Sequence, residues 1–134
     1  MDYGSHRIEP GIKPLVNILN EVPFIRTFSS CEGHFDKSEL EHVAYVQFHA
    51  TDAAELERFA SEVLPGVLRE MEDYAVEIHH RMYPVPGEDT IRKDFQVTIK
   101  PIIRNVPKNM KRESVDRGIA KLREAIRHYL EARS

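Results

Sequence analysis

The sequence predicts an α+β fold in which helices cover one face of a largely antiparallel sheet. Four segments alternate apolar and polar residues, as half-buried strands do, and three segments carry apolar residues at helical spacing. These segments follow one another in the order α-ββα-ββα, and 134 residues is the length of one domain. We therefore expect residues 1–134 to form a single two-layer domain.

The first half of the chain predicts a helix, two strands and a second helix. The first helix is indicated by apolar residues at helical spacing, namely Ile12, Leu15, Val16 and Leu19. Residues 24–30 and 42–50 alternate and predict the first two strands. Thr51 suits the N-cap of the next helix, which we expect to be interrupted at Pro65 and to continue briefly to about Met71.

The second half predicts two more strands and a terminal helix. Residues 74–83 and 91–99 alternate, and a loop containing two prolines and a glycine separates them. Ser114 suits the N-cap of the last helix. The apolar stripe of that helix consists of Val115, Ile119, Leu122, Ile126 and Leu130.

If the strands pair as expected, polar residues share the face of the sheet that the helices leave open. This set consists of Gln47, His49, Glu77, His79, Arg81, Gln96 and Thr98. Such a face is either one wall of a polar cleft or a surface left to water, as antiparallel sheets commonly have.

Composition limits the cellular setting and the partners. One cysteine cannot form an internal disulfide, and the longest stretch without Asp, Glu, Lys or Arg, residues 42–51, is too short to span a bilayer. We therefore expect a cytoplasmic protein without membrane contact. The net charge is −3, but residues 100–134 hold ten Lys or Arg against four Asp or Glu. This basic C-terminal third is either a phosphate-binding surface or a solvated helix face.

Reactive side chains are concentrated between the first two predicted strands. FSSCEGHF, residues 28–35, contains the single cysteine together with serine, glutamate, glycine and histidine. We expect a loop here, since such connections often carry functional groups. Gly33 would supply a positive φ, and the hydroxyls of Ser29 and Ser30 with the amides up to Gly33 would form a small anion-binding concavity.

Cys31 and His34 are the candidate catalytic pair. A nearby imidazole favours the thiolate, the form that attacks electrophiles or binds metals, whereas Glu32 works against it. The same two residues are alternatively ligands of a divalent metal. Three histidines are candidates for completing that site, namely His42, His49 and His79. A third interpretation is a tight turn around a buried, inert thiol.

This segment resembles a motif of the Tyw3 family, methyltransferases of wybutosine synthesis on phenylalanine tRNA that use S-adenosylmethionine. The family signature T-x-SSC-SGR is similar to Thr27, the run 29–31 and Gly33, and its segment E-P-x-x-x-H-V is similar to residues 41–43. The resemblance covers roughly residues 24–64. SCEGH followed by an aromatic residue and Asp also resembles a motif of small uncharacterised bacterial proteins.

The resemblance implies a related fold with a pocket at this segment. It implies S-adenosylmethionine as cofactor and tRNA lying along the basic C-terminal third. The family has arginine at the position of His34 and serine at that of Glu32, so the likeness implies the site more strongly than the reaction. The pocket residues that it implies are Ser29, Ser30, Cys31, Gly33 and His34. All candidate ligand-binding residues, taken together, are Thr27, Ser29, Ser30, Glu32, Gly33, His42, His49, His79 and Arg81.

Three classes of function follow from these observations. The first is a Tyw3-like tRNA-modifying methyltransferase that acts mainly by placing the methyl group near its acceptor. The second is a module that binds a metal or a small ligand without catalysis. The third is a structural homodimer formed through the sheet face or the terminal helix.

Overall fold

The computed structural model of the protein describes residues 8–35, 42–68, 73–102 and 106–133. Its elements, in chain order, are α1 (Lys13–Asn20), β1 (Ile25–Cys31), β2 (Ala44–Ala50), α2 (Ala53–Leu68), β3 (Tyr74–Tyr83), β4 (Arg92–Pro101) and α3 (Lys108–Glu131). The predicted α+β class and the predicted order of elements are confirmed.

The four strands form one antiparallel sheet in the order β1-β2-β4-β3. Side chains alternate between the two faces, because successive residues of a strand point to opposite sides. Val46, Val97 and Ile78 are paired across three strands and point towards the helices. Gln47, Gln96 and His79 form the adjacent row and point away from them. The register in β1 shifts between Thr27 and Ser29, so Phe28 occupies a β-bulge.

The three described helices pack on the apolar face of the sheet. One buried cluster joins their apolar stripes to alternate strand residues, among them Phe48 and Ile99, both with 0% exposure. Helix α3 contacts α1, α2, β3 and β4, so it holds the helix layer together. This burial is the main favourable contribution to folding, since removing apolar surface from water contributes about 25 cal/mol per Å².

The predicted interruption of the second helix at Pro65 is wrong. Helix α2 runs through Pro65 to Leu68, whereas Met71 lies outside the described residues. Proline removes one helical hydrogen bond and crowds the preceding turn. Val63 and Val67, each 1% exposed, lie on the same buried stripe on either side of it. Packing of this stripe offsets the local cost of the proline, so the helix continues.

The predicted N-cap of the last helix is also wrong. Helix α3 begins at Lys108, directly after Pro107, whose φ of −58° and ψ of 151° place it outside the helix. Ser114 lies inside the helix and is buried, and its hydroxyl donates a 2.6 Å hydrogen bond to the carbonyl of Asp73. The capping propensity of serine was therefore a misleading signal, because a tertiary contact uses this hydroxyl.

Candidate functional site

The predicted polar face of the sheet is confirmed by the strand registers. Its first row across the sheet consists of Cys31, Tyr45, Thr98 and Glu77, and its second row consists of Ser29, Gln47, Gln96 and His79. Arg26 and His49 pair in β1 and β2, and Asp94 and Arg81 pair in β4 and β3, which extends the face by a third row. Among the described residues, all helices lie on the opposite side. We call these three rows the polar face.

Arg81 lies on this face in a tight ion pair with Asp94. The Arg81 Nε and Nη2 atoms donate to the two Asp94 carboxylate oxygens at 2.6 and 2.9 Å, and the Tyr83 hydroxyl donates to Asp94 Oδ2 at 2.7 Å. The Asp94 side chain has no exposed surface. Burial opposes ionisation of this carboxyl, but the hydrogen bonds from Arg81 and Tyr83 outweigh it and lower its pKa. The Arg81 guanidinium is therefore already paired with the Asp94 carboxylate.

The centre of the polar face is a chain of side-chain hydrogen bonds. Gln47 donates to Gln96 Oε1 at 2.9 Å, and Gln96 donates to Thr98 Oγ1 at 2.9 Å. On β3, Glu77 accepts from Lys100 at 2.9 Å, which lowers the pKa of Glu77. Because the opposite charges of Glu77 and Lys100 are paired with each other, this part of the polar face presents amides and hydroxyls rather than a net charge.

The segment that carries the sequence motif is half strand and half loop. We expected the first strand to end at residue 30 and the rest of this segment to be a loop, but β1 extends to Cys31, and only residues from Glu32 onward leave the sheet. The alternation along β1 therefore divides the candidate residues between two faces. Ser29 and Cys31 belong to the polar face, whereas Thr27 and Ser30 pair with the core residues Phe48 and Val46. Thr27 also exchanges hydrogen bonds with the Asn20 side chain at 2.8 and 3.0 Å.

The positive φ predicted for Gly33 is confirmed, with a value of 94°. The anion-binding concavity that we expected there is wrong, because the loop amides already have partners. The amide of Glu32 donates to Glu9 Oε1 at 2.9 Å, and the amide of Gly33 donates to Cys31 Sγ at 3.4 Å. The Glu32 side chain turns away and accepts from the amide of Gly11 at 2.8 Å.

Glu9 joins Cys31 and His34 in one cluster. A carboxylate oxygen of Glu9, Cys31 Sγ and a ring nitrogen of His34 all lie within 4.8 Å of one another. His34 Nε2 is 3.3 Å from Glu9 Oε2. All three residues are half-buried. The cluster therefore presents one sulfur, one nitrogen and one oxygen to the same small volume.

Cys31 is poorly suited to be a nucleophile by itself. Burial raises the pKa of its thiol, and the negative charges of Glu9 and Glu32 raise it further, against the opposing effect of the Gly33 amide. A raised pKa means that the thiol form dominates near neutral pH. This supports the expected opposing effect of Glu32 on the thiolate, and it weakens the hypothesis that His34 activates the cysteine.

Arg112 of α3 holds the loop against the helix layer. Its guanidinium donates to the carbonyl oxygens of Glu32 and Gly33 at 2.6 and 3.0 Å, and it lies 4.8 Å from the centre of the Phe35 ring. The Phe35 ring in turn stacks on His42, with centroids 5.3 Å apart. The Arg112 side chain thus fixes two carbonyls and one aromatic ring. These contacts position the neighbouring Cys31 and His34.

The three histidines expected to complete a metal site do not belong to the Glu9 cluster. His42 is buried against Phe35, with Nδ1 3.5 Å from Lys111 Nζ. His49 stacks on Phe28 with centroids 4.6 Å apart, and His79 Nε2 is 3.6 Å from Glu77 Oε1. The third ligand atom near Cys31 and His34 comes from Glu9 instead.

Several cations of the basic C-terminal third are engaged within the protein. Arg112 also contacts Asp116, Arg117 contacts Asp73, and Arg133 contacts Glu62. Between α1 and α3 lies a groove of about 400 Å³ whose charged lining is Lys13, Glu21, Arg123 and Arg127. The lining of this groove in the helix layer therefore carries a net positive charge.

Sequence reasoning missed Glu9 and did not single out Asp94. Glu9 precedes the first helix and has no motif around it, so no local signal placed it beside Cys31. Asp94 fell on the polar side of an alternating strand, but nothing in the sequence marked it as buried, so its ion pair with Arg81 had no local signal.

Comparisons with known proteins do not assign the chain to a family. No family model matches the chain, and no curated protein matches it. Among solved structures, the PH1069 protein from Pyrococcus horikoshii is similar, with a TM-score of 0.40 and 11% sequence identity over 90% of this chain and 82% of that chain.

Proposed function

We propose that the protein binds a small polar molecule on the polar face of its sheet, beside Cys31 and His34. The observation that supports this proposal is the face itself, where all four strands contribute polar side chains in continuous rows. Amides and hydroxyls offer both donors and acceptors, and two ion pairs, Arg81 with Asp94 and Lys100 with Glu77, neutralise charges on the face. A ligand without a net negative charge fits this chemistry better than an anion.

S-adenosylmethionine is the ligand that we propose first. The resemblance to the Tyw3 family supplies this choice, and two residues of the matched run, Ser29 and Cys31, belong to the polar face. The reaction would then be methyl transfer to tRNA, with the protein acting mainly by positioning. A cytoplasmic location is part of the same proposal. In the part of the chain that the structure describes, no helix is long and apolar enough to cross a membrane.

The groove between α1 and α3 is where we propose that RNA phosphates bind. Lys13, Arg123 and Arg127 line it with Glu21 as their acidic neighbour, and the buried Nε of Arg123 has no hydrogen-bond partner among the described residues. Phosphate binding by these cations would release condensed counterions, so the affinity for tRNA should fall steeply as the salt concentration rises.

Ligand titration monitored by NMR chemical shifts and by thermal unfolding tests the proposal. S-adenosylmethionine should shift the resonances of Tyr45, Gln47 and Gln96, and it should raise stability by about 2.7 kcal/mol at a ligand concentration about 100 times its Kd. Gln47→Leu removes the central amide and should weaken binding at least about fivefold, since an unmatched buried polar group costs about 1–3 kcal/mol.

The matched control is Glu57→Gln, an exposed change on α2 that should leave binding unaltered. If S-adenosylmethionine and adenosine both fail to shift resonances of the polar face, the ligand proposal is wrong, and if tRNA fails to shift resonances of Lys13, Arg123 and Arg127, the RNA proposal is wrong. The homodimer hypothesis predicts a different outcome, in which those resonances shift with protein concentration and not with ligand.

A further inference from the structure

We propose that Glu9, Cys31 and His34 form a binding site for a divalent transition metal of the Zn²⁺ class. This inference goes beyond the proposed function, because it concerns three side chains at the end of β1 that can hold a metal with or without a ligand on the polar face. Their sulfur, nitrogen and oxygen atoms lie within 4.8 Å of one another and come from two separate parts of the chain, residue 9 and residues 31–34.

The spacing of these atoms fits tetrahedral coordination. Two nitrogen or oxygen ligands about 2.0–2.1 Å from a tetrahedral Zn²⁺ are about 3.3 Å apart. His34 Nε2 and Glu9 Oε2 are 3.3 Å apart, which matches this edge. A thiolate ligand lies about 2.3 Å from the metal, so it stands about 3.5 Å from the other two ligands. Small side-chain movements suffice to bring all three atoms onto one ion, because their largest separation is within 4.8 Å.

Neighbouring groups orient the ligands in the way that metal sites require. The amide of Glu32 occupies Glu9 Oε1 at 2.9 Å and leaves Oε2 facing His34, while the amide of Gly33 points at Cys31 Sγ from 3.4 Å. The carbonyl of Glu9 accepts from the amides of Ile12 and Lys13 at 3.2 and 3.1 Å, which anchors its backbone to the start of α1. Such supporting hydrogen bonds raise the affinity of metal sites.

The set of ligand atoms favours particular metals. Mg²⁺ and Ca²⁺ prefer oxygen ligands throughout, whereas a thiolate with an imidazole suits Zn²⁺, Co²⁺ or Fe²⁺. One thiolate and one carboxylate carry two negative charges, which balance a divalent ion. Three protein ligands also leave one tetrahedral position open. Cys31 lies in the same row as Tyr45, so the site adjoins the polar face.

Cobalt substitution tests the site directly. Added to the metal-free protein, one equivalent of Co²⁺ should give a thiolate-to-cobalt charge-transfer band in the near ultraviolet and the visible bands of a tetrahedral ion. Cys31→Ser should remove the charge-transfer band. Glu9→Gln and His34→Ala should each weaken Co²⁺ and Zn²⁺ binding more than about tenfold, since even supporting residues contribute about 10–100-fold.

The control is His128→Ala, which removes an exposed imidazole on α3 and should leave the metal affinity unchanged. Circular dichroism of each metal-free variant verifies that it is folded. The proposal would be overturned if the unmodified protein did not bind one equivalent of Co²⁺. It would also be overturned if folded Glu9→Gln and Cys31→Ser each bound Co²⁺ with the same affinity as the unmodified protein. Gln47→Leu separates the two proposals, because it should bind Co²⁺ normally even if it no longer binds S-adenosylmethionine.

Discussion

At the scale of a single residue, Gly33 determines the path of the candidate loop. Its φ of 94° is a conformation that residues with a Cβ avoid. A Cβ added at this position would lie 2.9 Å from Phe35 Cε2 and 3.2 Å from the carbonyl oxygen of Val43. The aromatic ring can move, but the Val43 oxygen is backbone and yields less. Gly33 therefore satisfies both a conformational and a steric requirement.

We predict that Gly33→Ala destabilises the protein by about 1–3 kcal/mol, because it adds backbone strain to steric overlap. Urea unfolding measures this difference. The matched control is Gly87→Ala, since Gly87 has a φ of 85° but an added Cβ there would have nothing within 4 Å. Gly87→Ala should cost only the strain of the backbone. Equal losses in the two variants would show that the packing around Gly33 contributes nothing.

At the scale of secondary-structure elements, Arg81, Tyr83 and Asp94 tie β3 to β4. The carboxylate of Asp94 has no exposed surface and accepts hydrogen bonds from both other side chains. Its pKa in the folded protein is lower than its ordinary value of 3.8. The ionised form therefore stabilises the fold fully above that ordinary value, and this contribution is lost as the pH falls through the lowered pKa.

We predict that Asp94→Asn destabilises the protein by about 1–3 kcal/mol near neutral pH, because a buried charge-assisted hydrogen-bond pair is broken. The difference from the unmodified protein should shrink as acid protonates Asp94. Chemical unfolding at a series of pH values measures both effects. Glu88→Gln is the control, since Glu88 also forms a two-pronged pair with Arg92, but on an exposed turn. If Asp94→Asn lowered the free energy of unfolding by the same amount at the lowest pH, the ionised carboxylate and its hydrogen bonds would not be the cause of the loss.

At the scale of the whole molecule, the distance between α3 and the sheet depends on Gly118. A Cβ there would lie 2.6 Å from Ile99 Cγ2 and 2.9 Å from Tyr74 Cδ2, both buried side chains of the sheet. Glycine therefore permits α3 to lie close against β3 and β4. Two effects compete in Gly118→Ala, because alanine favours the helix by about 1 kcal/mol, whereas overpacking a core costs about 1–3 kcal/mol.

We predict that overpacking prevails and that Gly118→Ala lowers the free energy of unfolding. Gly66→Ala is the matched control in α2, because its Cβ would meet only Ala125 Cβ at 4.0 Å. That change should stabilise the protein by up to about 1 kcal/mol. Thermal and urea unfolding of both variants provide the comparison. Stabilisation by Gly118→Ala would mean that the helix can withdraw from the sheet without loss.

The sequence by itself determined the order of elements, the two faces of the sheet and the positive φ of Gly33. These features depend on the periodicity of side chains along one element or on the conformational limits of one residue, so neighbouring residues suffice to predict them. The polar face followed from alternation alone, although Cys31 was expected in a loop rather than in a strand.

Only the tertiary structure decided which distant side chains meet. Glu9 contacts the amide of Glu32 across 23 positions, and Arg112 contacts the carbonyl of the same residue across 80 positions. It also decided that Ser114 bonds to Asp73 instead of capping a helix and that α2 continues through Pro65. The physical reason is that packing, not local propensity, brings such groups together, and buried apolar area offsets the local cost of an unfavourable residue.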